Sequence, residues 1–543
     1  MKYWVAKLLE GAWLLALACA LLSSAAAAYS RTMQFEERAF GCDPFGYLCM
    51  AKEVRRAAAE GRLPDYAIDT PHTRELIEHL KAQPNLPGPS WYTLTGPHAH
   101  HYQHRAGRVG PQYPPGTGAM LALFPQGEAL HGLSRTVTIV LSITGLVALG
   151  LAFVKRTWAA AGGVVLALQT GFEVISRHGD ASYSIIAVVL PLLVVVVGLV
   201  AARRWAADRP RLSRAAAFLA GASFGFAVLV RIPVLFLLPG VAILVVGAVR
   251  YAFVDSRTIA FGLGAALFGT LPLMHHQHRV AGGWNVSTYG TDDAAPPSMK
   301  PVDENIRYYL YESRGSEQNV NLRVALLGFL GVALLPGRNR SWLDRLRLLA
   351  AATAVWGLPM AYFLTHAIKI DYYPAPGIFT AVAILGVGGL SLRLPKASAE
   401  TNDAGTFRLF HVPILALALV PGAFALESGW KVWPGTLSVK ANPTPTVEYP
   451  PELTDPQAWV FGDIQTGSVW YYSGQTAFKL PFADKQARAV IWQFVASRGE
   501  PVFLIRDHDG MQPAISDLEQ SGGQLEHRGL VMGMPYYRVT WPR

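Results

Sequence analysis

The stretch YSIIAVVLPLLVVVVGLVA, residues 183–201, decides the fold class of this chain. It is apolar almost throughout and carries no charged side chain. At 1.5 Å of rise per residue, a helix of about 20 residues crosses the roughly 30 Å hydrocarbon core of a bilayer. A helix also satisfies its own backbone hydrogen bonds, which lipid cannot do. The stretch therefore predicts a membrane-spanning helix.

Apolar runs of similar length recur along the chain and give about eleven predicted spans, counting residues 183–202. The others are residues 11–28, 135–154, 158–176, 215–230, 232–249, 259–274, 322–335, 348–366, 373–392 and 409–426. The run 116–130 is interrupted by Pro125, Gln126 and Glu128, so it predicts an interfacial or re-entrant helix rather than a span.

Composition and charge favour the same class. Of the 543 residues, 51% are hydrophobic and only 15% are charged, too few to cover a soluble protein of this size. If the N-terminus is cytoplasmic, 18 basic residues fall in cytoplasmic segments, whereas the short loops opposite hold only Arg177, Arg231 and Lys369. The formal charge of +10 is thus explained by topology and requires no nucleic-acid partner.

The N-terminus allows two interpretations. Lys2, Lys7, the first apolar run and the following SSAAAA also describe a cleavable secretory signal. We favour a retained helix, and cleavage would not alter the orientation of the later spans.

Three polar regions are expected on the outer side: a long first loop (residues 29–133), a second loop (residues 275–321) and a C-terminal region (residues 429–543). In the last, the β-type runs AWVFGD, SVWYYSG, PVFLIRD and YYRVTW alternate with a helical pattern at residues 482–497. We therefore expect a mainly α, polytopic transmembrane domain over residues 1–428 and a small C-terminal α/β domain. No G-x-G-x-x-G, Walker, H-E-x-x-H or paired C-x-x-C motif occurs.

The segment GCDPFGYLCMA, residues 41–51, has three possible interpretations. Asp43 followed by Pro44 favours a helix N-cap with proline at the first helical position. A catalytic carboxylate can occupy the same position. A bridge between Cys42 and Cys49 is disfavoured, because seven residues of helix separate them by about 10 Å, whereas a disulfide needs Cα atoms within about 7 Å.

Histidine and basic residues of the outer loops are further candidates. The cluster His98, His100, His101 and His104 lies in a loop without an accompanying carboxylate or cysteine, so a divalent metal is possible but unsupported, and no cofactor is required. Arginines close to the membrane can grip a lipid-linked phosphate or contact phospholipid. Those in suitable places are Arg105, Arg108 and Arg279.

Two charged residues lie between or beside apolar runs. Arg231, in AVLVRIPVLFLLPG, either extends to the interface or lines a polar site, because charge at membrane depth is costly. Asp180, in the tight loop SRHGDAS, raises the same question.

Taken together, these features resemble the C superfamily of glycosyltransferases, multi-spanning enzymes that use polyprenyl-phosphate sugars. Lipid A aminoarabinose transferases and protein O-mannosyltransferases are similar in layout. The resemblance covers most of residues 1–428 and lies in the order of GCDPFGY (41–47), QYPPGTGAMLALFP (112–125), RIPVLFLLPG (231–240), WNVSTYG (284–290) and DYYPAPGIF (371–379).

The resemblance implies that Asp43 is a general base, or orients the acceptor, while the sugar is displaced with inversion from the donor phosphate. Where the family often has an Asp-Glu pair, Pro44 follows Asp43 here, which puts a second acidic function, such as metal coordination, in doubt. No motif fixes the phosphate ligands, so they are drawn from Arg105, Arg108, Arg231 and Arg279. Further donor- or acceptor-site candidates are Tyr47, Lys52, His101, Tyr113 and Asp180.

The expected reaction is transfer from a polyprenyl-phosphate sugar to a glycan, lipid or protein at the outer face of a bacterial cytoplasmic membrane. The alternatives are a transporter or flippase, a polysaccharide polymerase or ligase, and a non-catalytic relative. No duplicated halves, which are typical of transporters, are visible in the sequence. The aromatic residues Trp470, Tyr471 and Tyr472 are expected either to form the core of the C-terminal sheet or to hold a glycan.

Overall fold

The structure is a computed structural model of the 543-residue chain. It describes residues 2–34, 37–39, 41–86, 91–92, 95–155, 158–178, 182–247, 255–289, 298–311, 342–366, 370, 373–391, 419, 422–423, 448–481 and 483–542. Two compact units emerge. The helical unit comprises Met1–Phe35, His131–Leu271 and Pro296–Asn442, and the α/β unit comprises Glu36–Leu130, Pro272–Ala295 and Pro443–Arg543.

Helices dominate the part of the chain that the structure describes. They are α1 Lys2–Met33, α2 Cys42–Ala59, α3 Pro71–Lys81, α4 Gly116–Leu121, α5 Ala129–Lys155, α6 Trp158–His178, α7 Tyr183–Arg204, α8 Pro210–Val230, α9 Leu238–Gly247, α10 Ser256–Ala265, α11 Leu271–Ala281, α12 Val302–Ile306, α13 Trp342–Leu364, α14 Ala375–Ser391, α15 Thr466–Ser473, α16 Lys485–Arg498 and α17 Gln512–Gln520.

The strands are β1 His100–Gln103, β2 Arg108–Pro111, β3 Trp459–Gly462, β4 Ala477–Lys479, β5 Val502–Ile505, β6 Gln524–Val531 and β7 Met534–Thr540. A 3₁₀ helix, Ile232–Leu237, joins α8 to α9, and a π-helical turn, Ala266–Thr270, joins α10 to α11.

The helical unit confirms the prediction of a multi-pass membrane protein. Within the described ranges, six helices are long and apolar enough to cross a bilayer: Gly11–Met33, Ala129–Leu151, Tyr183–Arg204, Pro210–Val230, Ser256–Ala281 and Leu346–Leu364. Three shorter apolar helices coincide with predicted spans: Ala161–Ser176, Ile232–Val245 and Ala375–Val387. Nearly all of two predicted spans, residues 322–335 and 409–426, lies outside the described residues, so the count of eleven stays a prediction.

Apolar side chains on α10 and on the π-helical turn that follows it show which environment the helical unit requires. Ile259, Leu263 and Leu267 follow one another at helical spacing, and each is about half exposed at 51–54%. A stripe of this kind is unfavourable in water and favourable against lipid tails. By contrast, α14 is buried on most sides where it packs against α6, α7 and α13.

The closest helix packing is made possible by glycine. A Cβ on Gly221 of α8 would lie 1.9 Å from the carbonyl oxygen of Phe261 on α10, and one on Gly225 would lie 2.6 Å from that of Ala265. Small residues four apart let membrane helices approach closely, where packing and not hydrophobicity drives association. The backbones of α8 and α10 therefore touch at these positions.

In the α/β unit, the expected C-terminal α/β fold is confirmed. Its sheet has the order β4-β3-β5-β7-β6. β3 pairs in parallel with β4 and β5, and β7 pairs antiparallel with β5 and β6. β1 and β2 form a separate antiparallel hairpin, and Ile68 bridges to Val109 beside it.

One predicted strand is wrong, because SVWYYSG lies mostly in helix α15 and ends at Gly474. Its aromatic and β-branched residues favour a strand by propensity. However, parallel strands β3 and β4 need a crossover between them, and this segment supplies it as a helix. Gly474, with φ of 74°, ends the helix in the left-handed conformation.

The core of the α/β unit is shared between two distant parts of the sequence. Trp459, Trp492 and Phe461 of the C-terminal region pack in one cluster with Ile68 and Leu76 of the first loop, all at 2% exposure or less. Two of the predicted outer regions thus build one hydrophobic core.

Candidate active site

Asp43 lies in the first turn of α2, where a glycine sets the start of the helix. Gly41 is the N-cap, with φ of 73°, a conformation that glycine adopts without strain. The prediction that Asp43 caps the helix is wrong, since the helix begins at Cys42 and no side chain caps it. A carboxylate in the first turn is nevertheless stabilised by the helix dipole.

The carboxylate of Asp43 is bound by a phenol. The hydroxyl of Tyr113 donates a hydrogen bond to Oδ1 of Asp43. Tyr113 follows β2 in the QYPPG motif and is 6% exposed. Burial first, and then the charge of Asp43, raise the pKa of Tyr113 well above its usual value, so the phenol stays protonated and remains a donor.

A chain of side-chain hydrogen bonds extends from this pair. The sulfur of Cys42 lies 2.9 Å from the hydroxyl of Tyr113. Nε2 of Gln112 donates to the same sulfur at 3.1 Å, and its Oε1 is hydrogen-bonded to Nε2 of His101. Burial holds the pKa of His101 well below its usual range, so the ring is neutral. The contact with Oε1 then assigns the ring proton to Nε2.

Aromatic rings flank the Asp43–Tyr113 pair. The ring centroid of Tyr47 lies 4.9 Å from that of Tyr113. On another side, the ring centroid of Tyr289 lies 5.9 Å from that of Tyr113 in an edge-to-face arrangement. Gly46 permits this approach, because a Cβ there would lie 2.8 Å from the ring of Tyr113. Next to Tyr289, the hydroxyl of Thr288 donates to the carbonyl of Gln112 at 2.8 Å.

Four of the predicted site residues, Asp43, Tyr47, His101 and Tyr113, therefore lie in one connected group. Sequence reasoning missed three that complete it: Cys42, Gln112 and Thr288. The available signal was adjacency, since Cys42 precedes Asp43 and Gln112 precedes Tyr113 in the two motifs.

The predicted arginines of the α/β unit form a second group. Arg108 forms an ion pair with Asp65 at 3.2 Å and also donates to the backbone carbonyl of Arg279. Arg105 lies against Gly282 and Gly283, close enough that a Cβ on Gly282 would lie 2.9 Å from the Arg105 carbonyl carbon. The structure thus places Arg105 and Arg108 beside the same stretch of backbone, residues 279–283.

Lys52, another predicted site residue, contacts helix α15 and is not part of the Asp43–Tyr113 group. Its Nζ donates to the carbonyl oxygen of Tyr471 at 3.1 Å and lies 5.3 Å from that ring. Nearby, the hydroxyl of Tyr472 accepts from the backbone N–H of Ala39 at 3.4 Å. Trp470 packs against the shared core. These contacts join the first loop to α15.

Cys49 lies two residues after Tyr47 on α2. Burial raises the pKa of its thiol to about 12, so it stays protonated and unreactive. Cys42 and Cys49 are both free and lie within one continuous helix, as the distance argument from the sequence indicated.

Arg231 belongs to the helical unit. It lies where α8 ends and the 3₁₀ helix begins, and it is 8% exposed. Its guanidinium donates to the hydroxyl of Ser184 at 3.0 Å and lies 5.2 Å from the ring of Tyr373. Arg231 is therefore buried among polar and aromatic partners. Asp180 lies outside the described residues.

Among the described residues, no group of three histidine, cysteine or carboxylate side chains is arranged to hold a metal ion. The imidazoles of His100 and His101 are instead buried, and that of His98 is 14% exposed. Burial lowers the pKa values of His98 and His100 to about 3.

Comparison with known proteins gives structural matches only. No family model and no curated protein matches the sequence. The apo structure of ArnT from Cupriavidus metallidurans matches with a TM-score of 0.48 at 13% identity, over 95% of this chain and 97% of that chain. ArnT bound to undecaprenyl phosphate matches with a TM-score of 0.44 at 13% identity, over 97% and 98%.

The oligosaccharyltransferase AglB of Archaeoglobus fulgidus, in complex with an inhibitory peptide and a dolichol-phosphate, matches with a TM-score of 0.39 at 14% identity. That match covers 95% of this chain and 74% of the other.

Proposed function

We propose that this protein is an inverting glycosyltransferase that moves a sugar from a polyprenyl-phosphate donor to an acceptor hydroxyl at the outer face of the cytoplasmic membrane. The observation that carries the proposal is the Asp43–Tyr113 pair. It joins the acidic motif of the first loop to the YPPG motif through one hydrogen bond. A positioned carboxylate is what a general base requires.

In the proposed step, the acceptor oxygen attacks the anomeric carbon of the sugar. The new carbon–oxygen bond forms as the bond from that carbon to the donor phosphate breaks, and the phosphate leaves with the electron pair. Asp43 takes the acceptor proton. Tyr113, kept protonated by burial, holds the carboxylate in one orientation throughout the step.

The leaving phosphate needs fixed positive charge, because no nucleotide or ATP is available outside the cytoplasm. Guanidinium groups suit this task, since they bind phosphate oxygens through paired N–H donors. We assign the task to the predicted arginines of the α/β unit, Arg105, Arg108 and Arg279, which lie in the same unit as Asp43.

The test is transfer by purified protein in proteoliposomes, supplied with undecaprenyl-phosphate sugars and a lipid or glycan acceptor. Asp43→Asn is expected to lower kcat by roughly 10²- to 10⁴-fold, the usual contribution of general base catalysis. Tyr113→Phe is expected to lower kcat by a smaller factor with little change in KM, because the carboxylate remains but loses its orienting donor.

Tyr102→Phe is the matched control, since Tyr102 is equally buried and packs against Trp91 in the shared core. It should leave the rate unchanged. An Asp43→Asn protein that transfers sugar at the wild-type rate would contradict the base assignment. A wild-type protein that transfers from no polyprenyl-phosphate sugar but moves a solute across the vesicle membrane would favour a transporter.

A further inference from the structure

The sheet of the α/β unit has a crevice at the carboxyl ends of its parallel strands. β3 lies between β4 and β5, and all three run parallel. The chain leaves β3 through α15 to β4 on one side and then returns through α16 to β5 on the other. In open α/β sheets, ligands bind outside the strand ends at such a switch point.

Charged residues lie where each of the three strands ends. They are Asp463 after β3, Lys479 at the end of β4 and Asp507 after β5, and all are less than a tenth exposed. Asp507 accepts hydrogen bonds from the backbone N–H groups of Asp463 and Gln465, which ties two loops together. Burial raises the pKa of Asp507 to about 6. Buried charges of this kind require polar partners.

A segment of the first loop, Pro97–His101, supplies partners in this crevice; we call it the histidine segment. The backbone N–H of His98 donates to the hydroxyl of Thr466, the first residue of α15, at 3.0 Å. The Nζ of Lys479 donates to the backbone carbonyl of His100 at 3.0 Å. The occupant of the crevice is thus part of the same chain.

A third contact joins His98 to Asp463, whose Oδ1 lies 3.6 Å from Nε2 of the ring. That separation would suit an ion pair. However, burial and the nearby charge of Lys479 lower the pKa of His98 to about 3, so the ring is neutral near pH 7. The contact is therefore a polar one between a neutral imidazole and the carboxyl group.

The backbone of the histidine segment is strained between these contacts. Ala99 has φ of 66°, a left-handed conformation that costs a non-glycine residue roughly 1–2 kcal/mol. Such strain persists where the surroundings determine the conformation from several sides. Here His98 and His100, on either side of Ala99, are both held by the crevice.

The histidine segment leads directly to the Asp43–Tyr113 pair. The carbonyl of Ala99 accepts from the backbone N–H of Gln112 at 2.9 Å, and the ring of His101 binds the Gln112 side chain. The side chain of Gln112 is hydrogen-bonded to the sulfur of Cys42, which is in turn hydrogen-bonded to the hydroxyl of Tyr113. Two links of the segment thus converge on the residue before Tyr113.

We propose that the strand-end crevice is the docking site of the histidine segment, and that Asp463, Thr466 and Lys479 are positioning residues for the Asp43–Tyr113 pair. The C-terminal region would then set the geometry of the base without touching the substrate. The catalytic part of this inference rests on the proposed transferase function, whereas the docking part does not.

The experiment uses the full-length protein in detergent and two near-isosteric changes, Lys479→Met and Asp463→Asn. Lys479→Met removes the donor to the His100 carbonyl, and Asp463→Asn replaces the carboxyl group that lies 3.6 Å from the His98 ring by an amide. The first readout is the rate at which a maleimide modifies Cys42, followed by peptide mass. Release of the segment frees Gln112 and exposes the Cys42 sulfur, so we expect modification to be about tenfold faster, equivalent to about 1.4 kcal/mol of easier local opening. Cys49 on the same helix is the internal reference.

The second readout is transfer kinetics. We expect both changes to lower kcat by roughly 10- to 100-fold with little change in KM, because displacement of a catalytic group by about 1 Å has that effect. Asp517→Asn is the matched control, since its ion pair with Arg488 at 2.7 Å joins α16 to α17 in the same unit. It should lower the melting temperature while Cys42 modification and kcat stay at wild-type values.

The outcomes separate the two proposals. Faster Cys42 modification and lower kcat in both variants, but not in Asp517→Asn, would support the positioning role. Unchanged Cys42 modification in both variants would overturn it, as would changes no larger than those in Asp517→Asn. Faster modification in a protein whose wild type transfers no sugar would support docking and overturn the transferase function. If Lys479→Met does not fold, Thr466→Val removes the contact to His98 instead.

Discussion

At the scale of single residues, Asp43 shows how a tertiary contact replaces a local one. An aspartate before proline favours an N-cap, in which the side chain binds the backbone of its own helix. Because Gly41 takes the cap position, the helix starts one residue before Asp43. The carboxylate instead accepts from Tyr113, 70 residues further along the chain. The carboxylate of Asp43 therefore does not cap its own helix and belongs instead to the buried polar group around Tyr113.

Three buried histidines predict loss of stability in acid. The pKa values of His98 and His100 are lowered to about 3 by burial, and burial also lowers the pKa of His101 well below the usual 6.5. The unfolded chain therefore binds more protons between about pH 3 and 6.5, so stability falls as pH decreases through 6.5. Each histidine contributes about 1.4 kcal/mol per pH unit in that window.

Asp507 has the opposite effect, since a pKa raised to about 6 makes the folded state bind the extra proton between about pH 4 and 6. Burial also raises the pKa of Asp463, but the three histidines outweigh these two aspartates, so we expect net destabilisation from pH 7 to pH 4.5. Denaturant unfolding followed by the fluorescence of the buried Trp459 and Trp492 checks this. His100→Asn should reduce the slope and exposed His104→Asn should not; stability that rises on acidification would contradict the prediction.

At the scale of elements, α8 and α10 show what packing demands of sequence. We expect Gly221→Ala to destabilise the helical unit by about 1–3 kcal/mol or more, because the added Cβ would meet backbone 1.9 Å away and the helices must separate. The melting temperature in detergent measures the effect.

Gly262, also on α10, is the control for that prediction. A Cβ there meets nothing within 4 Å, so Gly262→Ala should be neutral or stabilise the helix by up to about 1 kcal/mol through better helix propensity. Equal melting temperatures for the two variants would show that the α8–α10 contact does not limit stability.

In helix α15, by contrast, tertiary structure overrides local sequence, because the sequence predicts a strand where the structure has a helix. SVWYYSG has the composition of a strand, and its conformation follows from its place between two parallel strands. Propensity amounts to less than about 1 kcal/mol per residue, whereas a misplaced crossover would leave β4 unpaired.

At the scale of the whole molecule, the shared core makes the first loop depend on the C-terminal region. Ile68 and Leu76 are buried against Trp459 and Trp492, about 400 residues away. A chain that ends at residue 442 would expose these apolar side chains. We therefore expect limited proteolysis to cut within residues 42–111 of the truncated protein and to spare that segment in the intact one.

A milder variant keeps the same prediction testable in the full chain. Trp492→Ala should cost about 3–5 kcal/mol, because a large buried ring leaves a cavity. It should raise protease sensitivity in α3 as well as in the C-terminal region. If residues 42–111 stay protected in both variants, the first loop folds independently of the C-terminal region.

Sequence by itself determined the membrane class, nine of the apolar helices and most strands of the C-terminal sheet. These features depend on hydropathy and periodicity over 5 to 20 neighbouring residues, which a local pattern records fully. It also named Asp43, Tyr47, His101 and Tyr113 as site candidates, together with Lys52 and Asp180.

Only the tertiary structure decided how those residues are joined. The links from His101 through Gln112 and Cys42 to Tyr113, and the contacts of the histidine segment at the carboxyl ends of β3 and β4, connect positions tens to hundreds of residues apart. Such contacts leave no periodic signal, because they depend on where the folded chain returns and not on its neighbours in sequence. Hydrophobic patterning therefore fixed what lies in the membrane, and long-range polar contacts fixed the geometry of the site.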